Sequence, residues 1–188
     1  MKDLRIPVDE RTELRLPRVE DAEEVFRLID DDRARLGRFM DWVAGLSTVE
    51  DEREFIMARL AQGAVGSAVQ AFIWTGGRIA GSLGTVILDR ENDAAEVGYM
   101  VFSGFEGTGL AYRCTRAFID HLFEVEGMHR LVVRLMPENE RSRNLARRLG
   151  FTFEGLQREA YKLRGDHHDL EAYSLLRTEW ERAQAADR

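Results

Sequence analysis

From Glu20 to Asp30 the apolar positions Ala22, Val25, Phe26 and Ile29 recur at helical spacing behind four acids, Glu20, Asp21, Glu23 and Glu24. That spacing lines one face of a helix, and acids in the first turn are favoured by the helix dipole. A second helical stretch runs through Leu36, Phe39, Met40 and Val43. Ser47-Thr48-Val49-Glu50 has the form of a capping box and predicts a third helix, with Phe55, Ile56, Met57 and Leu60 on its apolar side. Ahead of all three, Glu13-Leu14-Arg15-Leu16 alternates and predicts a short edge strand.

After Gly66 the period shortens. Val69 to Trp74, then Thr75-Gly76-Gly77, then Arg78 to Leu88 predict a β-hairpin turning at the two glycines. The polar loop Asp89–Asp93 leads to a strand from Ala95 to Phe102. A glycine-bearing loop, Ser103 to Gly109, opens a long helix whose inner face is Leu110, Cys114, Ala117, Phe118, Leu122 and Val125. Arg130 to Met136 reads as a strand, Glu140 to Leu149 as a short helix stopped by Gly150, and Phe151-Thr152-Phe153 and Leu170 to Leu176 as final strands. This order is α/β (α+β): helices flanking a mixed central sheet of about seven strands.

Composition narrows the class. At 188 residues with 44% hydrophobic and 32% charged positions, the chain suits one domain, expected to span residues 1–188. No apolar run approaches the roughly 20 residues of a membrane span. The opening Met1-Lys2-Asp3-Leu4-Arg5 has no signal-peptide core, and the lone Cys114 allows no internal disulfide. The expectation is a cytoplasmic protein with no membrane partner.

The net charge of −7 argues against a nucleic-acid binder. Yet between Gly107 and Arg164 there are 11 basic residues against 7 acidic ones. A basic third in an acidic chain suits a polyanionic small ligand on one side and a cationic partner on the other; uneven surface arginines are the plainer reading.

Two blocks carry candidate chemistry. Glu106-Gly107-Thr108-Gly109-Leu110-Ala111 lies between a strand and a helix, where glycines let the backbone approach a ligand and first-turn N–H groups face an anion. It lacks the Gly-Lys-Ser/Thr of a Walker loop and the third glycine of a dinucleotide fold, and a tight turn would also explain it. Thirty residues on, Asn139-Glu140-Arg141-Ser142-Arg143-Asn144-Leu145-Ala146-Arg147-Arg148-Leu149-Gly150-Phe151 reads as a capped, arginine-rich amphipathic helix.

In this order the two blocks resemble the GNAT superfamily of acyl-CoA N-acyltransferases, whose phosphate loop follows Gln/Arg-x-x-Gly-x-Gly/Ala and whose later helix opens with Asn-x-x-Ser and ends in Leu-Gly-Phe. Phe39-Met40-Asp41-Trp42-Val43, Glu96-Val97-Gly98-Tyr99, Gly150-Phe151 followed by Glu154-Gly155, and Gly165-Asp166-His167-His168-Asp169 resemble its ribosomal-protein N-terminal acetyltransferase (RimJ/RimL) branch. The resemblance covers roughly residues 10 to 180.

It implies a V-shaped split between strands 4 and 5, with acetyl-CoA as co-substrate and no metal. Met100, Val101 and Phe102 would pair their backbone with the pantetheine arm. Glu106, Gly107, Thr108, Gly109, Leu110 and Ala111 would hold the pyrophosphate. Asn139 would contact the pantetheine, and Ser142 would protonate the leaving thiolate. The branch is also expected to form homodimers. The acceptor implied is the N-terminal α-amine of a protein or peptide; a small amine (polyamine, antibiotic, amino-acid conjugate) and a non-catalytic acyl-CoA-binding module remain alternatives.

Two positions depart from the pattern. Glu106 stands where Gln or Arg is usual, and its carboxylate is expected to face solvent or an arginine. Ala160 fills the slot of the branch's general base, leaving Glu159 and Glu96 as candidates. A one-residue slip along a strand turns a side chain to the other face. An N-terminal amine needs only a modest base, since with a pKa near 7.7–8 roughly a tenth of it is neutral at pH 7.

Of the remaining features, Cys114 is expected in the core and Asp166-His167-His168-Asp169 in a turn between strands. The acidic clusters at 20–24 and 30–32 are expected on solvated faces, with attraction of a cationic acceptor as the alternative. Trp42, Phe39 and Met40 would either line an acceptor groove or pack in the core.

Overall fold

The computed structural model describes residues 4–186; residues 1–3, part of the Met1–Arg5 stretch in which no signal-peptide core is expected, and residues 187–188 lie outside them. The elements in order are β1 (Arg5–Asp9), β2 (Thr12–Arg15), α1 (Ala22–Asp31), α2 (Arg33–Leu36), α3 (Trp42–Gly45), α4 (Val49–Ala64), β3 (Gln70–Thr75), β4 (Arg78–Asp89), β5 (Ala94–Val101), α5 (Leu110–Glu124), β6 (Arg130–Leu135), α6 (Glu140–Arg148), β7 (Thr152–Leu163), β8 (Asp166–Leu176) and α7 (Arg177–Ala186). No helix among the described residues is long and apolar enough to cross a membrane.

The strands form one sheet in the order β1-β2-β3-β4-β5-β6-β8-β7. Eight strands replace the expected seven because β1 escapes the pattern: it is a five-residue edge strand interrupted by Pro7, which an edge tolerates. The sheet separates two apolar clusters. Leu110, Cys114, Phe118 and Leu122 of α5 pack with Ala71 and Ile73 on one side. Val25 and Ile29 of α1 and Ile56 of α4 pack with Phe72 and Ile79 on the other. Consecutive β3 residues fall in opposite clusters, as a pleated strand buried on both faces requires.

All neighbouring strands run antiparallel except β5 and β6, which are parallel and pair only at Ala94↔Arg130, Ala95↔Leu131 and Glu96↔Val132. Beyond Glu96 the two strands separate. This is the split that the resemblance implies between strands 4 and 5, renumbered by the extra β1.

Three local expectations need correction. The helix expected through Leu36–Val43 is broken between α2 and α3. There the Asp41 N–H donates to the Tyr161 hydroxyl (2.8 Å), and Arg164 donates to the Gly37 carbonyl (2.9 Å) and, through its N–H, to Asp41 Oδ1 (2.8 Å). Long-range partners thus take groups a continuous helix would use. The capping box sits one residue later. Thr48 is the N-cap, accepting from the Asp51 N–H (3.2 Å), while the Asp51 carboxylate accepts from the N–H groups of Thr48 and Ser47 (2.8 Å each). Asp166-His167-His168-Asp169 opens β8 rather than forming the turn, which falls at Arg164 and Gly165, both with left-handed φ (53° and 97°).

Candidate active site

The loop after β5 reaches α5 through two left-handed glycines, Gly107 (φ 75°) and Gly109 (φ 74°), the second being the N-cap of α5. An L side chain pays about 1 kcal/mol or more for this conformation, so glycine fits the position. The N–H groups of Leu110 and Ala111, in the first turn of α5, have no intrahelical acceptor and carry the positive end of the helix dipole. Thr108 braces the turn by donating its hydroxyl to the Phe105 carbonyl (2.9 Å).

Glu106 lies between two arginines. Its Oε1 accepts from Arg35 of α2 (2.9 Å) and its Oε2 from Arg141 of α6 (2.5 Å). Arg35 also donates to the Val101 carbonyl (2.9 Å) and to Asp32 Oδ1 (2.9 Å), and Asp32 Oδ2 accepts from the Ser103 N–H (2.9 Å). The Arg35 guanidinium holds the Asp32 carboxyl below its ordinary range despite burial. Asp32, expected on a solvated face, is therefore buried and ties α2 to the start of the loop.

Not all three residues assigned to the pantetheine arm can offer a backbone group. The Phe102 N–H donates to the Ala80 carbonyl (2.9 Å), and its side chain is buried. In an antiparallel ladder the bonded pairs alternate, so Met100 opposite Ser82 also directs its N–H and C=O at β4. Val101, and Tyr99 before it, turn theirs toward the split. Phe102 and Met100 are thus corrected as backbone partners, while the Met100 side chain lines the cavity below.

A cavity of about 740 Å³ runs through the split, lined on its two sides by Tyr99 and Met100 of β5 and by Val133, Asn139 and Ser142 from β6 and α6. Ser142 Oγ lies 2.8 Å from the Tyr99 hydroxyl, which is also 3.2 Å from the Ser142 carbonyl. Asn139 caps α6 by accepting from the Ser142 N–H (3.2 Å). Burial pushes the Tyr99 phenol up to about 12, so it stays protonated and able to donate. Arg143 anchors α6 to β8 by donating to Glu171 (2.8 Å).

The two carboxylates put forward as bases are not free in the cavity. Glu96 lines it but accepts from Nε (3.0 Å) and Nη2 (2.5 Å) of Arg134, just where β5 and β6 part. Glu159 is exposed, outside the cavity lining, with φ 51° and its N–H donating to Asp169 Oδ1 (2.8 Å). The β7–β8 register breaks between Gln157 and Tyr161, and this irregularity turns Ala160 and Tyr161 to the cavity and Glu159 away.

A third carboxylate was not anticipated. Glu52 of α4 lines the cavity at 2% exposure, has no hydrogen-bond or ion-pair partner among the described residues, and is pushed by burial up to about 7. Trp42, Phe39 and Met40 line the cavity as well, and Met40 and Phe39 also pack against buried clusters. Cys114 is fully buried with its thiol pushed up to about 12.

Residues 11–152 match the family model described as an acetyltransferase (GNAT) domain. The chain belongs to the GNAT acetyltransferases. Among its relatives is YdaF of Bacillus subtilis (strain 168), a candidate ribosomal N-acetyltransferase, 34% identical over 93% of this chain and 96% of that one. The solved structure of RimL, a ribosomal L7/L12 alpha-N-protein acetyltransferase in complex with coenzyme A, superposes with a TM-score of 0.89 at 27% identity, covering 92% of this chain and 98% of that one. Microcin C7 self-immunity acetyltransferase MccE, in complex with acetyl-CoA and AMP, gives a TM-score of 0.87 at 28% identity, covering 90% and 94%.

As a GNAT acetyltransferase the chain takes its acetyl group from acetyl-CoA. Its own residues fit that donor: a glycine turn before α5, a strand edge at Tyr99 and Val101 without a neighbouring strand, and a cavity through the gap. Sequence reading missed Tyr99, Glu52, Arg35 and Arg141. Only Glu52 left a signal: it lies three and four residues before Phe55 and Ile56, so it is a charge on the apolar face of its own helix.

Proposed function

We propose that this GNAT acetyltransferase transfers the acetyl group of acetyl-CoA to the N-terminal α-amine of a protein or peptide, by direct attack of the neutral amine on the thioester. The observation that carries the reading is the cavity at the β5–β6 split, which brings Tyr99, Asn139 and Ser142 together with a pocket walled by Phe39, Met40, Trp42 and Phe55. The relatives named for ribosomal-protein acetylation support the choice of acceptor.

In this reading the diphosphate sits on the N–H groups from Gly107 to Ala111, and Val101 and Asn139 hold the pantetheine. The amine nitrogen forms a bond to the thioester carbon and the carbon–sulfur bond breaks. Ser142 gives its hydroxyl proton to the departing thiolate, and Tyr99 at 2.8 Å stabilises the oxygen left behind. No covalent enzyme intermediate is needed, and Cys114 takes no part.

A small-amine acceptor is the second reading, favoured by the likeness to MccE, solved with AMP beside acetyl-CoA. We also read the chain as a cytoplasmic homodimer, for which β7 offers an open sheet edge carrying exposed Phe153 and Leu156. Thiol release from acetyl-CoA against N-terminal peptides, free polyamines and aminoacyl nucleotides tests the function. Turnover with peptides is expected. Turnover confined to small amines overturns the acceptor, and binding of acetyl-CoA without thiol release from any amine overturns the enzyme reading.

A further inference from the structure

Three carboxylates line the cavity, and two are already committed. Asp51 accepts the N–H groups of Ser47 and Thr48, and Glu96 accepts the Arg134 guanidinium. Glu52 has no hydrogen-bond or ion-pair partner among the described residues. It sits on the inward face of α4, between the core residue Ile56 and the cavity-lining Phe55, at 2% exposure. An ionised carboxylate buried without a partner costs several kcal/mol, so a protein retains one chiefly where a ligand completes it.

We propose that Glu52 is the residue that receives the acceptor's amine: its carboxylate binds the ammonium group entering the cavity and takes up the proton released as the nitrogen is acylated. The proposal rests on the acetyl-transfer reading above and adds to it the amine's counter-charge. Its surroundings favour a cation. From α1, β3 and β4 the cavity wall takes apolar or neutral polar residues, among them Val25, Ile29, Gln70, Phe72, Ser82 and Thr85, none of them charged. The other titratable or charged groups in the cavity are Asp51, Arg59, Glu96, Arg134, Tyr99 and Tyr161. Of these, the Arg59 guanidinium donates to Gln62 (2.8 Å) and to the Thr85 carbonyl (2.5 Å), with its buried Nε left without a hydrogen-bond partner, and Arg134 is paired with Glu96. An incoming ammonium therefore meets one buried carboxylate that no other side chain among the described residues engages. Burial raises this carboxyl to about 7, close to an α-amine, which suits a proton acceptor working near neutrality.

The protons balance. An ammonium entering the cavity gives one proton to Glu52, which passes it to water and is ionised again. The neutral amine then forms the carbon–nitrogen bond, and its second surplus proton goes to Glu52. The carbon–sulfur bond breaks, and the thiolate takes the Ser142 hydroxyl proton. Water returns a proton to Ser142 and removes the one on Glu52, leaving amide and thiol.

The test compares the full-length wild-type chain with E52Q, following thiol release from acetyl-CoA and an N-terminal peptide from about pH 6 to about pH 9.5, with acetyl-CoA binding followed by thermal shift. Expected is a loss of kcat/KM for the peptide of roughly 100-fold near pH 7, shrinking to under about tenfold near pH 9.5 where the amine is neutral unaided. Acetyl-CoA binding should be unchanged. A purely structural role for Glu52 would lower rates equally at every pH and overturns the proposal, as does an unchanged profile. Should E52Q fail to fold, E52D takes its place: a loss confined to the peptide's kcat/KM is expected, and full wild-type activity overturns the role. A wild-type chain that acetylates no amine overturns the function reading and this role with it, whereas an active wild type with an indifferent E52Q overturns the role alone.

Discussion

The Tyr99 hydroxyl and Ser142 Oγ meet at 2.8 Å across the opening between β5 and α6, joining two elements that no ladder of backbone bonds connects at that level. One hydrogen bond thus brings the phenol of the strand edge, pushed up to about 12, onto the hydroxyl assigned to the leaving thiolate. Removing the serine should lower turnover at least about tenfold, in line with general acid catalysis. S142A is expected to keep its affinity for acetyl-CoA. Steady-state thiol release and calorimetric titration with acetyl-CoA separate the two effects, and unchanged turnover would remove the serine from the mechanism.

Tyr99→Phe keeps the ring and deletes only the hydroxyl. It leaves Ser142 with its N–H still held by Asn139, so α6 should stay in place. Turnover is expected to fall less than in S142A, and the double variant should lose no more than S142A alone. Additive losses in that double-mutant cycle would show that the pair does not act as a unit.

Glu106 is a carboxylate beside the anion's expected seat, matched by Arg35 and Arg141. In E106Q both guanidinium groups keep their charge, Arg141 loses its counter-ion and Arg35 keeps only Asp32, so acetyl-CoA should bind more tightly. At an effective dielectric near 20 the removed repulsion is up to about 3 kcal/mol for unit charges 6 Å apart, and solvent screening at this part-exposed site cuts that to about 1 kcal/mol, roughly fivefold in Kd. Calorimetry at low and high salt is the check, with the gain shrinking as salt rises. Weaker binding would mean that the pairs with Arg35 and Arg141 matter more for holding the loop than the charge does for the ligand.

Glu52 also predicts a pH-dependent stability. Its carboxyl is raised from an ordinary value near 4.5 to about 7, so the folded chain holds a proton that the unfolded chain has lost across that interval. Stability should therefore fall as pH climbs from about 4.5 to about 7 and level off above it. The full difference is on the order of 3 kcal/mol. E52Q removes the penalty, so urea unfolding at about pH 8 should find the variant more stable than wild type, and at about pH 4.5 nearly equal to it. Equal stability at both values would show that the carboxylate is solvated.

The Asp32–Arg35 pair works in the opposite sense. With its carboxyl held below the ordinary value, Asp32 stabilises the folded chain above about pH 4, and that contribution is lost as pH falls through the lowered value. R35A leaves the buried carboxylate of Asp32 with the Ser103 N–H and no counter-ion, leaves Glu106 with Arg141 alone, and frees the Val101 carbonyl. It is expected to destabilise by roughly 3 kcal/mol and to weaken acetyl-CoA binding. Chemical denaturation and thermal shift measure the two, and a stable variant with full affinity would remove Arg35 as the brace of the loop.

The element order, the glycine turn before α5 and the Asn139–Ser142 opening of α6 were legible in the sequence by itself. Each is written in neighbouring residues: apolar spacing chooses helix or strand, left-handed glycines mark the turn, and a side chain three residues from its N–H caps a helix. The cap of α4 was off by one because Ser47/Glu50 and Thr48/Asp51 satisfy the same local rule. The break between α2 and α3 could not be read locally, since Tyr161 and Arg164, far along the chain, take the groups involved.

The carboxylates belong wholly to tertiary structure. Glu96 is neutralised by Arg134, 38 residues away, and Glu159 is turned out by an irregularity in the β7–β8 register. Glu52 is left alone because the elements packed around it bring apolar and neutral polar side chains and no counter-ion. A spacing rule reports which face of its own element a residue occupies. Whether a charge there is paired, solvated or stranded depends on what distant segments place opposite it, and only the folded chain decides that.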